Sequence, residues 1–254
     1  MVLTNENYFS REAQMMYMGA SQFKSFAACE SAALAEIRGD WAQQESTALL
    51  VGSYVDAYFS GTLPLFRAQH SEIFTQKGTL KSDYQYAEYI IQRIERDAKF
   101  MAAISGGSQV IMTGKIEGVP VKIKVDSLLP DRIVDMKIMK DMEDVYNKED
   151  REWQPFWKSW GYDIQGAIYR EIVRQNTGEL LPFGLAVATK EKPEPDIDLI
   201  TLPSAALDES LEIVRSEIVY FDSIKKGLIE PERCGKCAHC RSTKVLAGWR
   251  DLEC

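Results

Sequence analysis

Three charged residues, Asp126, Asp135 and Lys137, lie on two neighbouring segments that have the pattern of β-strands. From Val119 to Ser127 apolar and polar residues alternate, which is the period of a half-buried strand. After a Pro-Asp turn, residues 133–138 form a second strand in which Asp135 and Lys137 share one face. A hairpin of these strands brings the two aspartates side by side, where their charges repel unless a divalent cation lies between them. Ordinary surface charges on two solvent-facing strands are the alternative.

The same hairpin resembles that of the PD-(D/E)XK nuclease superfamily, with Val134 where the motif's name has proline. The resemblance implies that Asp126, Asp135 and the main-chain carbonyl of Met136 bind Mg²⁺ or Mn²⁺. It also implies that Lys137 orients or activates the water that attacks the phosphate.

A third carboxylate lies in an earlier segment. Thr47 to Phe59 predicts a buried helix, and Asp56 is its one charged residue. A buried carboxylate is costly without a cation, a hydrogen-bonding cap or solvent. In the exonuclease branch of the superfamily, an early helix carries Gly-x-x-x-His or Gly-x-x-x-Glu, whose last residue binds metal. Gly52 to Asp56 has this spacing, so the resemblance implies Asp56 as a further metal ligand, with Asp replacing His or Glu.

Two polar residues follow the hairpin in a helical pattern. Trp153 to Asn176 has the apolar spacing of one long helix, and Gln165 and Tyr169, four residues apart, share a face of it. A tyrosine at the rim of the core and a solvated glutamine would account for the spacing alone. Recombination exonucleases carry a Gln-x-x-x-Tyr helix just after the Asp-x-Lys strand. That resemblance implies that Gln165 and Tyr169 lie near the metal and the DNA.

The other segments predict an α/β fold. We expect a helix from Ser21 to Gly39, a surface excursion over 62–82, an amphipathic helix over 82–100, strands over 109–116, 182–189 and 197–202, and a final helix over 207–226. This order predicts an α/β sandwich with a mixed central sheet of about five strands flanked by helices. It agrees with the restriction-endonuclease-like core that the resemblance implies.

Three of the five cysteines, Cys234, Cys237 and Cys240, follow one another at steps of three, which is typical of a metal site more than of free thiols. The candidates for a fourth ligand are Cys29, Cys254 and, with less support, His239. Superfamily members of the AddB type and the CRISPR-adaptation type hold a 4Fe–4S cluster with one early and three late cysteines. Cys29 resembles their early cysteine, whereas the short last gap leaves Zn²⁺ as an alternative.

Composition limits the classes of function. The 254 residues, 45% hydrophobic, suit a single domain, 1–254, with a cysteine-containing tail, 228–254, packed on it. A net charge of −8 argues against a protein that coats nucleic acid, but a metal can neutralise the acidic groups of a nuclease. We find no apolar run near the ~20 residues of a membrane span and no signal-peptide pattern, and we expect a cytoplasmic protein.

The resemblance implies a metal-dependent deoxyribonuclease of the phage and prophage RecE-like and lambda-exonuclease-like branch. Members of that branch degrade one strand of linear duplex DNA from its end and pass the exposed strand to a single-strand annealing recombinase. Several of them form rings, so a homo-oligomer is compatible. One alternative is a catalytically inactive DNA-binding protein on a nuclease fold, which would need a broken metal set. Another is a redox protein built around the cysteines, which would leave the acidic hairpin without a purpose.

Overall fold

A computed structural model describes residues 1–42, 45–148, 150–246 and 248. Its helices are α1 (Arg11–Met16), α2 (Ala20–Ala28), α3 (Glu30–Arg38), α4 (Thr47–Phe59), α5 (Leu63–Gln69), α6 (Ser82–Glu95), α7 (Ala98–Ala103), α8 (Phe156–Ser159), α9 (Tyr162–Thr177), α10 (Ser204–Lys225) and α11 (Ala238–Ser242). Its strands are β1 (Gly107–Ile116), β2 (Val119–Leu129), β3 (Arg132–Met139), β4 (Val145–Asn147), β5 (Glu152–Gln154), β6 (Phe183–Thr189) and β7 (Ile197–Thr201). Every helix within these ranges is too short or too polar to cross a bilayer.

The central sheet is mixed. Within the described ranges its five strands lie in the order β1-β2-β3-β6-β7, and β4 and β5 form a separate two-stranded ribbon. The β1–β2, β2–β3 and β6–β7 pairs are antiparallel, whereas β3 and β6 are parallel. The chain between the parallel strands includes α9, as a crossover connection requires. A mixed five-stranded sheet flanked by helices confirms the predicted fold class.

Apolar side chains on the two faces of the sheet form two separate cores. Ile133 and Val134 are adjacent on β3 and enter different cores, as the two-residue period of a strand requires. The first core contains residues of α2, α9 and α10, among them Phe23, Ile168 and Phe221. The second contains residues of α4 and α6, among them Tyr54 and Ile90. Because both faces are covered, the sheet is a fixed platform for side chains at its edges.

The predicted helix from Ser21 to Gly39 is wrong in its start and in its continuity. Gly19 is the N-cap and α2 begins at Ala20. The chain breaks at Cys29, which has an extended backbone (φ −168°, ψ 107°). A second helix, α3, then ends at Gly39 in the left-handed conformation (φ 76°), as the glycine predicted.

The single helix predicted from Trp153 to Asn176 is also wrong. Trp153 lies in β5, and Pro155 disfavours helical backbone in the residue before it. A short α8 follows, and Gly161 in the left-handed conformation (φ 62°) then redirects the chain into α9. Trp160, which precedes this glycine and lies outside α9, is 57% exposed.

The segment predicted as one helix over 82–100 contains two. After α6 ends, the Asp97 side chain accepts hydrogen bonds from the main-chain N–H groups of Lys99 and Phe100 and so caps α7. The predicted surface excursion over 62–82 contains α5, which Pro64 in its first turn permits.

Candidate active site

Asp126 and Asp135 lie where β2 and β3 separate. Residues 127–129 of β2 pair with residues 132–134 of β3. If this register continued by one more residue, Asp126 would lie opposite Asp135. The ladder stops there, and the Asp126 carboxylate instead accepts a 3.0 Å hydrogen bond from the main-chain N–H of Met136. Both carboxylates line one cleft of about 1020 Å³. The structure therefore brings the two predicted aspartates together at the point where the sheet opens.

The backbone around Asp126 is distorted on its other side as well. The β1–β2 ladder is regular except that it omits the Gln109–Asp126 pair. Gln109 has a positive φ of 53°, and its side chain donates a 3.3 Å hydrogen bond to Asp126 Oδ1. Non-glycine residues rarely adopt such a φ, and they cluster at functional sites. Sequence reasoning missed Gln109 because a glutamine within a strand pattern gives no sign of it.

The segment before α2 takes the place of β3 beside β2. The main-chain N–H of Met18 donates to the Pro120 carbonyl at 2.8 Å, and the N–H of Lys122 donates to the Met18 carbonyl at 3.0 Å. These bonds give partners to main-chain groups of β2 where the strand no longer pairs with β3. The opening between the strands is therefore held by hydrogen bonds.

Asp135 is the most enclosed carboxylate of the cleft, with 2% of its surface exposed. Its Oδ1 accepts a 2.7 Å hydrogen bond from Gln165 Nε2. Its Oδ2 lies 2.6 Å from Lys137 Nζ, at an ion-pair distance but without the angles of a hydrogen bond. The structure thus places Gln165 and Lys137 against the same carboxylate.

The electrostatics of the pair favour a bound cation. Burial, and then the charge of Asp135, raises the pKa of Asp126 to about 7. Burial alone would lower the pKa of Lys137, but Asp135 and Asp126 outweigh it and raise that pKa above its ordinary value. Carboxylate oxygens are the ligands that Mg²⁺ and Mn²⁺ prefer, so this pair fits a divalent ion.

Asp56 reaches the same cleft from α4. Burial raises its pKa, the nearby Lys124 opposes this shift, and the charge of Asp135 adds to it. Among the described residues, however, the three aspartates do not form a group whose ligand atoms all lie within 4.8 Å of one another. Asp56 thus belongs to the cleft, and its role as a metal ligand stays a prediction.

The two predicted polar residues of α9 make different contacts. The side-chain amide of Gln165 donates a hydrogen bond to Oδ1 of Asp135. The hydroxyl of Tyr169 instead donates to the main-chain carbonyl of Lys124 at 3.0 Å. Burial, with Asp135 next in effect, raises the pKa of Tyr169 well above 10. Tyr169 therefore stays neutral near pH 7 and fixes β2, while Gln165 fixes the carboxylate.

Two aromatic–lysine groups that sequence reasoning missed flank the carboxylates. Lys124 Nζ lies 4.8 Å from the ring centroid of Phe9, on the side of Asp126. Lys24 Nζ lies 5.6 Å from the ring centroid of Tyr162, which Lys137 also approaches, to 5.2 Å. Burial, followed by the charge of Lys137, lowers the pKa of Lys24 to about 8.

Four cysteines meet at a second site. The Sγ atoms of Cys29, Cys234, Cys237 and Cys240 all lie within 4.8 Å of one another. Three of the Sγ–Sγ distances are 3.6, 3.8 and 3.9 Å. A tetrahedral ion with bonds of about 2.3 Å to sulfur separates its ligands by about 3.8 Å, so the thiols suit a thiolate-bound metal centre.

Contacts around the thiols join the C-terminal segment to α3. The main-chain N–H of Glu232 donates to the Glu30 carboxylate at 2.7 Å, and the N–H of Ser31 donates to the Glu232 carbonyl at 3.0 Å. His239 lies outside the group of four, with its ring 5.5 Å from that of Trp41. Of the predicted candidates for the fourth ligand the structure thus brings in Cys29, and Cys254 lies outside the described residues.

The split sheet, the acidic cleft and the helices on both faces define a PD-(D/E)XK-like domain. The family described as "PDDEXK-like domain of unknown function (DUF3799)" matches residues 19–243, and the chain belongs to this family.

The chain is also similar to a solved protein over nearly its whole length. It is 47% identical to a "putative exonuclease" from Eubacterium rectale, whose crystal structure matches with a TM-score of 0.95 over 99% of this chain and 97% of that one. The structure of SSO0001 matches 78% of this chain and 84% of its own at 10% identity and a TM-score of 0.29, which is too weak to support an argument. A search of curated proteins finds no match. The family and the Eubacterium rectale protein together support a nuclease function.

Proposed function

We propose that the protein is a metal-dependent deoxyribonuclease that degrades linear DNA from its ends, in DNA processing or recombination of the phage type. The observation that carries this proposal is the meeting of Asp126, Asp135 and Lys137 in one cleft. Lysines 24 and 124 beside that cleft suit an anionic substrate in spite of the net charge of −8. The proposed partner is a single-strand annealing recombinase, which would bind the strand that the nuclease exposes.

The metal would be held by oxygen atoms of the hairpin. The proposed ligands are the carboxylates of Asp126 and Asp135 and the main-chain carbonyl of Met136, with Asp56 as a further ligand. A bound Mg²⁺ or Mn²⁺ supplies Lewis-acid polarisation of a phosphate oxygen and charge neutralisation. The raised pKa of Asp126 indicates that this carboxyl releases its proton when the cation binds.

The other polar residues have supporting tasks in this proposal. Lys137 is protonated near neutral pH, so it donates hydrogen bonds that orient a water or stabilise charge on the phosphate. The raised pKa keeps Lys137 in its protonated form, which has no free lone pair to accept a proton, so orientation accounts for Lys137 better than general-base catalysis does. Gln165 holds Asp135 in place, and Tyr169 holds the strand that carries Asp126.

The test compares end-labelled linear duplex with closed circular duplex in the presence of Mg²⁺. We expect the linear DNA to be degraded from its ends and the circle to resist. Asp135→Asn should lower the rate by at least about 10³-fold, whereas Asp131→Asn, in the exposed turn of the same hairpin, should not change it. Cleavage of the circle would refute the exonuclease assignment. DNA binding without Mg²⁺-dependent cleavage would instead support the inactive DNA-binding alternative.

We propose in addition that the four thiols hold either a 4Fe–4S cluster or a Zn²⁺ ion that joins the two ends of the domain. The contacts of Glu30 and Ser31 with the C-terminal segment support this tie. Visible absorption and iron and zinc analysis after anaerobic purification distinguish the two metals. A protein with neither metal and with four reactive thiols would refute a metal centre.

A further inference from the structure

Two large aromatic side chains stand exposed on the walls of the cleft. Phe9 is 66% exposed and Trp160 is 57% exposed, and both line the same cleft as Asp126 and Asp135. Neither ring has a role in metal binding or in hydrolysis as proposed above. Ligand sites are concave and lined largely by apolar and aromatic side chains, so two exposed rings in one cleft suit contact with a ligand.

The ring of Phe9 is held beside the carboxylates. It packs edge-on against Tyr8, with ring centroids 4.9 Å apart, and Tyr8 is itself buried, at 7% exposure. Lys122 fixes Tyr8, because its Nζ donates to the Tyr8 carbonyl and lies 4.5 Å from the ring centroid. Lys124 lies against the ring of Phe9 and is two residues from Asp126 on β2. The exposed ring is therefore preorganised.

On the side of Asp135 and Lys137, the main chain of Trp160 is held by two hydrogen bonds. Its main-chain N–H donates to the Phe156 carbonyl at 2.9 Å, and its carbonyl accepts a 3.3 Å hydrogen bond from Lys24 Nζ. The charges of Lys137 and Asp135 both act on Lys24, which places this lysine close to the hairpin. Each end of the acidic site thus has one exposed ring with one lysine next to it.

This pairing suits a strand of nucleic acid better than a closed duplex. Lysine ammonium groups contact phosphates in either form. Aromatic rings stack on the faces of bases, and in a paired duplex those faces are covered by the neighbouring base pairs. An unpaired strand presents phosphates and free base faces together.

We propose that the cleft binds an unpaired DNA strand, with Phe9 and Trp160 stacked on bases that flank the phosphate at the carboxylates. The inference rests on the proposed nuclease function and specifies its substrate: the strand that is cleaved is single, and a duplex end must open before it enters.

Binding to the Asp135→Asn protein tests this without depending on hydrolysis. The probe is a dye-labelled oligodeoxythymidylate, and its matched control is a strand of equal length with abasic sites, which keeps the phosphates and lacks the bases. We expect Phe9→Ala and Trp160→Ala each to weaken binding of the thymidylate about 5- to 100-fold and to leave the abasic strand nearly unaffected. Phe9→Tyr, which keeps a ring, should bind as the parent protein does.

Trp153→Ala is the control for loss of an exposed tryptophan, since Trp153 is 69% exposed on β5 and does not line the cleft. Thermal unfolding of each variant shows whether it is folded. The inference is overturned if the alanine variants lose affinity equally for both strands, if Trp153→Ala has the same effect, or if blunt duplex displaces the thymidylate more readily than unlabelled thymidylate does.

The inference and the proposed function fail separately. If the base-dependent stacking is present but the wild-type protein does not cleave DNA, the nuclease proposal falls and the single-strand site stands. If the wild-type protein cleaves DNA and the two probes bind alike, the nuclease proposal stands and the single-strand site falls.

Discussion

Replacing Asp126 with asparagine should stabilise the metal-free protein at pH 8, and by less at pH 5. Burial and the charge of Asp135 raise the pKa of the Asp126 carboxyl from 3.8 to about 7. Between these values the folded protein keeps a proton that the unfolded chain has released. The contribution of Asp126 to the free energy of unfolding of the wild type therefore falls as the pH rises from about 4 to about 7 and then levels off.

The size of the effect follows from the same shift. A rise from 3.8 to about 7 is roughly three pKa units at about 1.36 kcal/mol each, which gives a ceiling of about 4 kcal/mol. The partial exposure of Asp126 and its coupling to Asp135 lower this ceiling. Asparagine also loses one of the two hydrogen bonds from Met136 and Gln109, at about 1 kcal/mol. We expect a net gain of about 1–3 kcal/mol at pH 8.

Urea unfolding at pH 5, 6, 7 and 8, without added divalent metal, measures this difference. Asp131→Asn is the control, because that side chain is 69% exposed in the turn of the same hairpin and should show no pH-dependent difference. Added Mg²⁺ or Mn²⁺ should reverse the order at pH 8 by stabilising the wild type alone. An Asp126→Asn protein that is less stable than the wild type at pH 8, or a difference that stays constant with pH, would refute the reasoning.

Three further predictions concern the packing and the two sites. Gly166→Ala should lower the free energy of unfolding by about 1–3 kcal/mol, because its Cβ would lie 2.7 Å from the Phe183 ring and 2.9 Å from Leu207. Gly52→Ala, whose nearest contact would be at 3.7 Å, should be neutral or stabilising by up to about 1 kcal/mol in the same urea unfolding experiment. Tyr169→Phe should lower the cleavage rate less than tenfold and leave the pH profile of that rate unchanged, since the hydroxyl does not ionise near pH 7. Gln165→Leu should lower the cleavage rate more, because it removes the hydrogen-bond donor to Asp135. Cys237→Ser should reduce the metal content measured by elemental analysis and lower the melting temperature, whereas retention of both would contradict a thiolate-bound metal.

The parts of the site that depend on short stretches of sequence were predictable. The alternation along β2 and the tight turn after it fix which residues of the hairpin face each other, so Asp126 and Asp135 could be paired without coordinates. The four-residue step from Gln165 to Tyr169 likewise fixed their common face on α9. Each of these arguments uses residues that are close in the chain.

The parts that depend on packing between distant segments were not predictable. Gln109 and Phe9 reach the site through contacts with β2, and neither residue type carries a pattern that points to such a contact. The apolar spacing continues across the breaks at Cys29 and Gly161, so the pattern gives no sign of either. A tertiary contact accompanies each break: Cys29 lies against the other thiols, and Gly161 lies next to Lys24. Local propensity alone would extend the helix at both positions.

The N-terminal segment explains how the sheet can open without a loss of backbone hydrogen bonds. A strand that separates from its neighbour leaves N–H and C=O groups without partners, at a cost of about 1–3 kcal/mol for each buried group. Met18 supplies those partners to β2 on the side that β3 has left, and the same segment carries Tyr8 and Phe9. The residues that close the edge of β2 therefore also form one wall of the cleft, although the family match begins only at residue 19. The packing of this N-terminal segment against β2 therefore accounts both for the opening that exposes the carboxylates and for the aromatic wall beside them.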